Sequence, residues 1–323
     1  MTPLLRLRPS SSLRFRPTLN SSLRLRRSIL SSFCFFYLCL LGLALAVHAQ
    51  PAALTITTEP NAAIWVDEVR RGNTDASGKL ALTRLSPGRH TVRVRANGFK
   101  ETTAALLPGR RTLAVKLLPT TDKAELLFQQ AETAREQARD DDARKAAADT
   151  YREAIKLRPA FPAAHVGLAR VLFDLNEFKE AHAAIEAARR TKPIYPEASA
   201  VEGRIYREEA FADDAMRSFR RAIREGNGFQ PEAHVGLARV YEDQGYYSTA
   251  AFELRKAIEQ LSDSEPVIYQ MLGAAYEKTN NPKEAVAAYE KYLQLAPNGS
   301  YAAAIRSIIE QLKREAQGQE IIP

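Results

Sequence analysis

Past residue 39 the chain contains no cysteine; both of its cysteines, Cys34 and Cys39, stand in its first long apolar run. The remainder can form no disulfide and no thiolate metal site, so the core alone must hold it together. The roughly 270 residues that follow are enough to bury one. Glycine-rich phosphate loops, a nucleophile elbow and a His-Glu-x-x-His pair are also missing. Of the five histidines, none has a second ligand at metal spacing. Asp140-Asp141-Asp142 lacks the glycine and the spaced oxygens of a calcium loop. These absences exclude the familiar catalytic constellations, and the chain reads as non-enzymatic, with no cofactor and no metal.

Acidic residues are absent from the first 49 positions, which hold seven arginines: Arg6, Arg8, Arg14, Arg16, Arg24, Arg26 and Arg27. An apolar run, Ile29–Val47, comes next, and Val47-His48-Ala49 places small residues three and one before a cut at Gln50. Basic segment, apolar segment and small-residue site together describe a secretory signal over 1–49. The expected destination is the periplasm or cell envelope, with a membrane involved only if the leader is retained. The chain carries +8, of which the leader supplies seven charges, leaving +1. A basic protein by total charge is thus a nearly neutral one after export, and nucleic acid is excluded as a partner.

Residues 164–171, Ala-His-Val-Gly-Leu-Ala-Arg-Val, recur unchanged at 233–240, about two periods of a 34-residue unit. Ala181, Ala215, Ala250 and Ala285 keep that phase; Ile185, Phe219, Leu254 and Tyr289 follow four residues later, then Ala188, Ala222, Ala257 and Tyr292. Spacings of four and three put these on one helical stripe, small where helices approach closely. Pro159, Pro193 and Pro297 close units.

These residues resemble the tetratricopeptide repeat, most fully at Leu272-Gly273, Tyr276, Ala285, Tyr289 and Pro297. The resemblance implies an all-α solenoid over 120–298, about five helix-turn-helix repeats, capped by a helix over 299–316 and followed by a tail, 317–323. Its first unit, 123–161, departs from the pattern at 137–142. Asp122 with Glu125 three residues on predicts a reciprocal cap for the first helix. The resemblance also implies a concave groove for protein or peptide partners, and exposed stack ends that permit oligomers.

Arg170, Arg204 and Arg239 recur in one phase, which in the family faces the groove; Asp174, Glu208 and Asp243 follow each by four. Two readings stand: intrahelical ion pairs worth a few tenths of a kcal/mol, or an arginine ladder for a peptide bearing carboxylates.

Residues 51–119 differ in kind. Alternating runs at Leu54–Ile56, Ile64–Val66, Leu80–Leu82, Thr91–Arg95 and Leu113–Leu118 are separated by Glu59-Pro60-Asn61, Gly72-Asn73, Ser77-Gly78, Ser86-Pro87-Gly88 and Asn97-Gly98. Short strands at this spacing predict a small antiparallel β-sandwich. Pro60-Asn61-Ala62-Ala63, Asp67, Pro87-Gly88-Arg89-His90 and Gly98-Phe99-Lys100 resemble a PEGA domain, an envelope-associated module. Gly72-Asn73-Thr74-Asp75 with Gly78 is also similar to the carboxypeptidase regulatory-like sandwich. The segment carries a net +6 and the remainder, 120–323, a net −5. Arg93, Arg95, Lys100, Arg110 and Arg111 are therefore either a basic face for anionic envelope polymer, or a strand face whose partner is the acidic solenoid. Trp65, the only tryptophan, alternates out of phase with Ile64 and Val66 and is read as packing against a neighbouring strand.

The resulting expectation is an exported adaptor, a β module followed by a solenoid that binds partners in its groove. The alternative is a polymer- or carbohydrate-binding protein acting through the β module, with the repeats used for oligomerisation.

Overall fold

The computed structural model describes residues 54–82, 85, 88–261 and 265–316. The expected leader and cut site, the Ser86-Pro87 step and the expected 317–323 tail lie outside the described residues. The β elements and the helices belong to one compact unit.

Among the described residues nine short strands come first: β1 Leu54–Thr57, β2 Ala63–Val66, β3 Val69–Asn73, β4 Lys79–Leu82, β5 His90–Arg95, β6 Phe99–Lys100, β7 Thr102–Leu106, β8 Thr112–Ala114 and β9 Leu118–Pro119. They form sheets ordered β4-β1-β8 and β3-β2-β5-β7, and a small β6-β9 pair. Leu54 and Ile56 of the first sheet share one buried cluster with Ile64, Val66, Val92, Val94 and Leu106 of the second. The four-stranded sheet is antiparallel throughout. The other sheet departs from the all-antiparallel expectation. There β8 runs parallel to β1, with Ile56 opposite Leu113. Antiparallel β4 already occupies one edge of β1, and the long excursion between β1 and β8 supplies the crossover that parallel pairing needs.

Gly72-Asn73, expected as a turn, lies within β3. The real turn is Asp67-Glu68, where both residues are left-handed (φ 50° and 65°), the two-residue hairpin geometry usually filled by Asn-Gly. Gly72 (φ 126°) instead serves an irregularity in the β2–β3 register between Ile64 and Trp65. β6 and β7 also escape the sequence pattern, because Thr102–Leu106 carries little apolar alternation.

Eleven helices follow: α1 Lys123–Gln137, α2 Asp141–Leu157, α3 Pro162–Asp174, α4 Phe178–Thr191, α5 Pro196–Glu208, α6 Ala212–Glu225, α7 Pro231–Asp243, α8 Tyr247–Leu261, α9 Pro266–Lys278, α10 Pro282–Leu295 and α11 Ala302–Ala316. Successive helices pair as hairpins and each hairpin packs on the next. Proline opens α3, α5, α7, α9 and α10, where its missing N–H is no loss. Asp122 caps α1 by accepting from the Ala124 amide at 2.9 Å. The reciprocal half of that cap is not formed, because Glu125 accepts from Gln129 and pairs with Arg158. Asp140 caps α2, which resolves the irregular first turn.

Every in-phase alanine from Ala181 to Ala285 is fully buried, as are Ile185, Phe219 and Leu254, with Tyr289 nearly so. Ala302, Ile305, Ile309 and Leu312 of α11 close the last open face against Tyr289 and Tyr292. The close approaches rest on glycine. A Cβ on Gly203 would stand 2.7 Å from the Phe219 ring. Gly203→Ala is expected to cost about 1–3 kcal/mol by overpacking. In urea unfolding it should lower the midpoint and leave the slope unchanged.

Candidate functional site

The alternation of β5 divides its side chains between two environments. Val92 and Val94 point into the β core, while Arg93 and Arg95 leave by the opposite face together with Trp65, the residue paired with Arg93 on β2. That face is not open to solvent: Arg93 and Arg95 side chains are only 12% and 10% exposed. Their guanidinium carbons stand 4.3 and 5.0 Å from the centre of the Trp65 ring, a stacking that desolvation strengthens. Arg93 pairs with Glu68 at 2.8 Å and Glu197 at 3.1 Å. Arg95 pairs with Glu101 at 2.7 Å and Glu132 at 3.3 Å, and also covers the Phe128 ring. Glu132 and Glu197 belong to α1 and α5, so these contacts seat the β module on the solenoid.

Further contacts complete the seat. Arg71 donates to the carbonyls of Leu261 and Gln260 at 2.9 and 3.0 Å, at the C-terminal end of α8 where a cation is favoured. Arg70 pairs with Glu136. Gln129, 3% exposed, accepts from the Gly98 amide and donates to the Phe99 carbonyl, each at 2.8 Å. Val69 packs into the apolar cluster formed by α7, α8 and α9. Sequence reasoning missed Gln129 and Val69; the turn signal Gly98-Phe99 marked one side of the glutamine contact without its partner.

Burial pushes the Glu132 carboxyl up, but the guanidiniums of Arg135 and Arg95, the Tyr151 hydroxyl that donates to it, and Arg170 together hold it below the ordinary value. Arg170 is held above its ordinary value: burial lowers it, and Glu232, Glu197 and Glu132 outweigh that.

Between the β2–β3 hairpin and the inner helices α3, α5, α7 and α9 lies a cavity of about 640 Å³. Arg170, Arg204, Arg239 and Glu208 line it; Asp174 and Asp243 do not. The expected intrahelical pairs are absent among the described residues. Arg170 and Arg204 reach across to Glu232 of α7 at 3.9 and 3.4 Å, and Asp243 takes Arg207 of α5 at 2.8 Å. Arg239 is exposed and has no ion pair among the described residues.

The five basic residues of the β module fall into two groups. Arg93 and Arg95 are consumed by the solenoid, whereas Lys100, Arg110 and Arg111 are exposed and form no ion pair among the described residues. No helix among the described residues is long and apolar enough to cross a membrane.

A stack of helical hairpins with a concave inner face defines this part of the chain as an α-solenoid. Tetratricopeptide repeat models match residues 138–205, 200–266 and 266–298, so residues 138–298 carry tetratricopeptide repeats. Among solved structures the chain is similar to PilW, a widely conserved type IV pilus biogenesis factor. The two are 14% identical with a TM-score of 0.50, over 62% of this chain and 94% of that one. It is also similar to PilF of Pseudomonas aeruginosa, at 15% identity and TM-score 0.49 over 61% and 91%. A third is TTC0263, a thermophilic TPR protein of Thermus thermophilus, at 20% identity and 0.48 over 59% and 98%. At these identities the likeness concerns the fold. No curated protein matches the chain.

Because the folded-state pKa of Glu132 lies below its unfolded value, its stabilisation is complete above the unfolded value of ~4.3 and is lost as pH falls through the folded one. Glu132→Gln should therefore be much less stable than the parent near neutrality, by about 3–5 kcal/mol for a broken buried pair. The gap should close in acid. Urea unfolding across pH 7 to 3, followed by Trp65 emission, checks this; a gap independent of pH contradicts it.

Proposed function

We propose that the protein is an exported, non-catalytic adaptor that holds a protein or peptide partner in the concave face of its repeats. In this reading the β module is PEGA-like and serves in the periplasm or cell envelope. The observation that carries the proposal is the cavity of about 640 Å³ on the inner face, lined by Arg239, which forms no ion pair among the described residues. Solenoids of this kind bind along extended concave surfaces, and a guanidinium without a carboxylate is suited to receive one from outside. Polymer binding through the β module is less well supported, because Arg93, Arg95 and Trp65 already face the solenoid.

The double variant Arg204→Ala, Arg239→Ala should lose capture of a partner from envelope extract by about tenfold or more, as expected for losing a charged hydrogen bond. Circular dichroism should show unchanged helix content. Capture equal to that of the parent would overturn the role of these arginines.

A further inference from the structure

The groove is not an open trough: its inner helices supply one wall and the β2–β3 hairpin supplies the other. We propose that this two-walled cavity recognises an extended peptide segment carrying an aliphatic side chain beside a carboxylate, with the hairpin as part of the reading surface. The inference rests on the groove reading above and adds the class of ligand and the second wall.

The charge pattern selects the carboxylate. Arg170 and Arg204 share Glu232, Arg207 holds Asp243, Arg70 holds Glu136 and Arg135 holds Glu132. Arg239 alone among the cavity guanidiniums has no ion pair within the described residues. Nearby Glu242 stays above its ordinary value through burial, although Arg239 lowers it. A ligand carboxylate at Arg239 meets a cation that is held in no ion pair among the described residues.

The apolar pattern selects the neighbouring side chain. Val235 lies one turn before Arg239 on the same face of α7. Across from it, Val267 and Met271 share a face of α9, and Val267 is 39% exposed. Val69 of the hairpin lies on the same cavity. An aliphatic group entering here is enclosed from both walls while its carboxylate reaches Arg239.

The hairpin is built to hold its position. Asp67 and Glu68 are both left-handed without being glycine, a conformation retained only where surroundings impose it. The Asp67 carboxylate accepts from the Thr91 amide at 2.9 Å and contacts the His90 ring at 2.6 Å. Glu68 pairs with Arg93 at 2.8 Å. A wall fixed in this way offers a preorganised site, and the cavity volume suits a few residues of peptide.

The test is selection of phage-displayed random peptides on the full chain, followed by titration of synthetic copies of the enriched sequences. Labelled-peptide anisotropy reports binding, and Trp65, the only tryptophan, reports the hairpin wall. The expected consensus pairs an aliphatic residue with Asp or Glu. Binding should shift Trp65 emission saturably and weaken about tenfold or more in Arg239→Gln and in Met271→Glu. Val69→Thr, which keeps the branched shape, should also weaken it, and Arg255→Gln on α8, away from the cavity, should not. If peptides bind through Arg204 and Arg239 while Trp65 and Val69→Thr are silent, the groove reading stands and the second wall falls. If no selected peptide binds the purified chain, both fall.

Discussion

Arg93 and Arg95 emerge from one strand of a small sheet, stack on Trp65 and end on carboxylates of two different solenoid helices. Removing two guanidiniums from water is costly unless each finds several acceptors, and here Glu68, Glu101, Glu132 and Glu197 supply them. The rest of the arrangement depends on that. Once the arginines are seated, Arg71 reaches the end of α8, Val69 reaches the apolar cluster beyond it, and Gln129 locks the Gly98-Phe99 turn. The β module thereby becomes a wall of the groove rather than an appendage beside it.

The solenoid makes this possible through its own spacing rule. In-phase alanines and glycines let the helices approach, and aromatic rings fill the gaps between hairpins. The inner helices are thus held in a row, with residues 34 or 35 apart facing the same space. Arginines on α3 and α5 then meet a glutamate on α7 instead of acids on their own helices. The inner surface is largely neutralised from within, which makes Arg239, in no ion pair among the described residues, distinctive.

Much of this was legible in the sequence because it is local and repeated. The eight-residue duplication and the alanine phase implied the helices, and Pro159, Pro193 and Pro297 marked the ends of units. The recurrence of Arg170, Arg204 and Arg239 in one phase was also readable. What escaped depends on contacts distant in the chain. The opposite charges of residues 51–119 and 120–323 hinted that the two parts attract, but not which strand face would meet which helix. β3 was hidden by a glycine that serves an irregularity rather than a turn, and the true turn carries Asp-Glu where glycine would have announced it. The ion pairs escaped because four-residue spacing on a helix is visible in sequence, whereas neighbours on the next helix are not.

The central claim is that the hairpin lies within the groove in solution. Energy transfer from Trp65 to an acceptor attached through a cysteine at Val267, with Cys34 and Cys39 replaced by serine, measures it directly, since both positions line the same cavity. Strong transfer is expected at low ionic strength, declining as salt screens the charged seat. Transfer that is negligible at every salt concentration would mean the β module stands clear of the repeats, and would contradict the account.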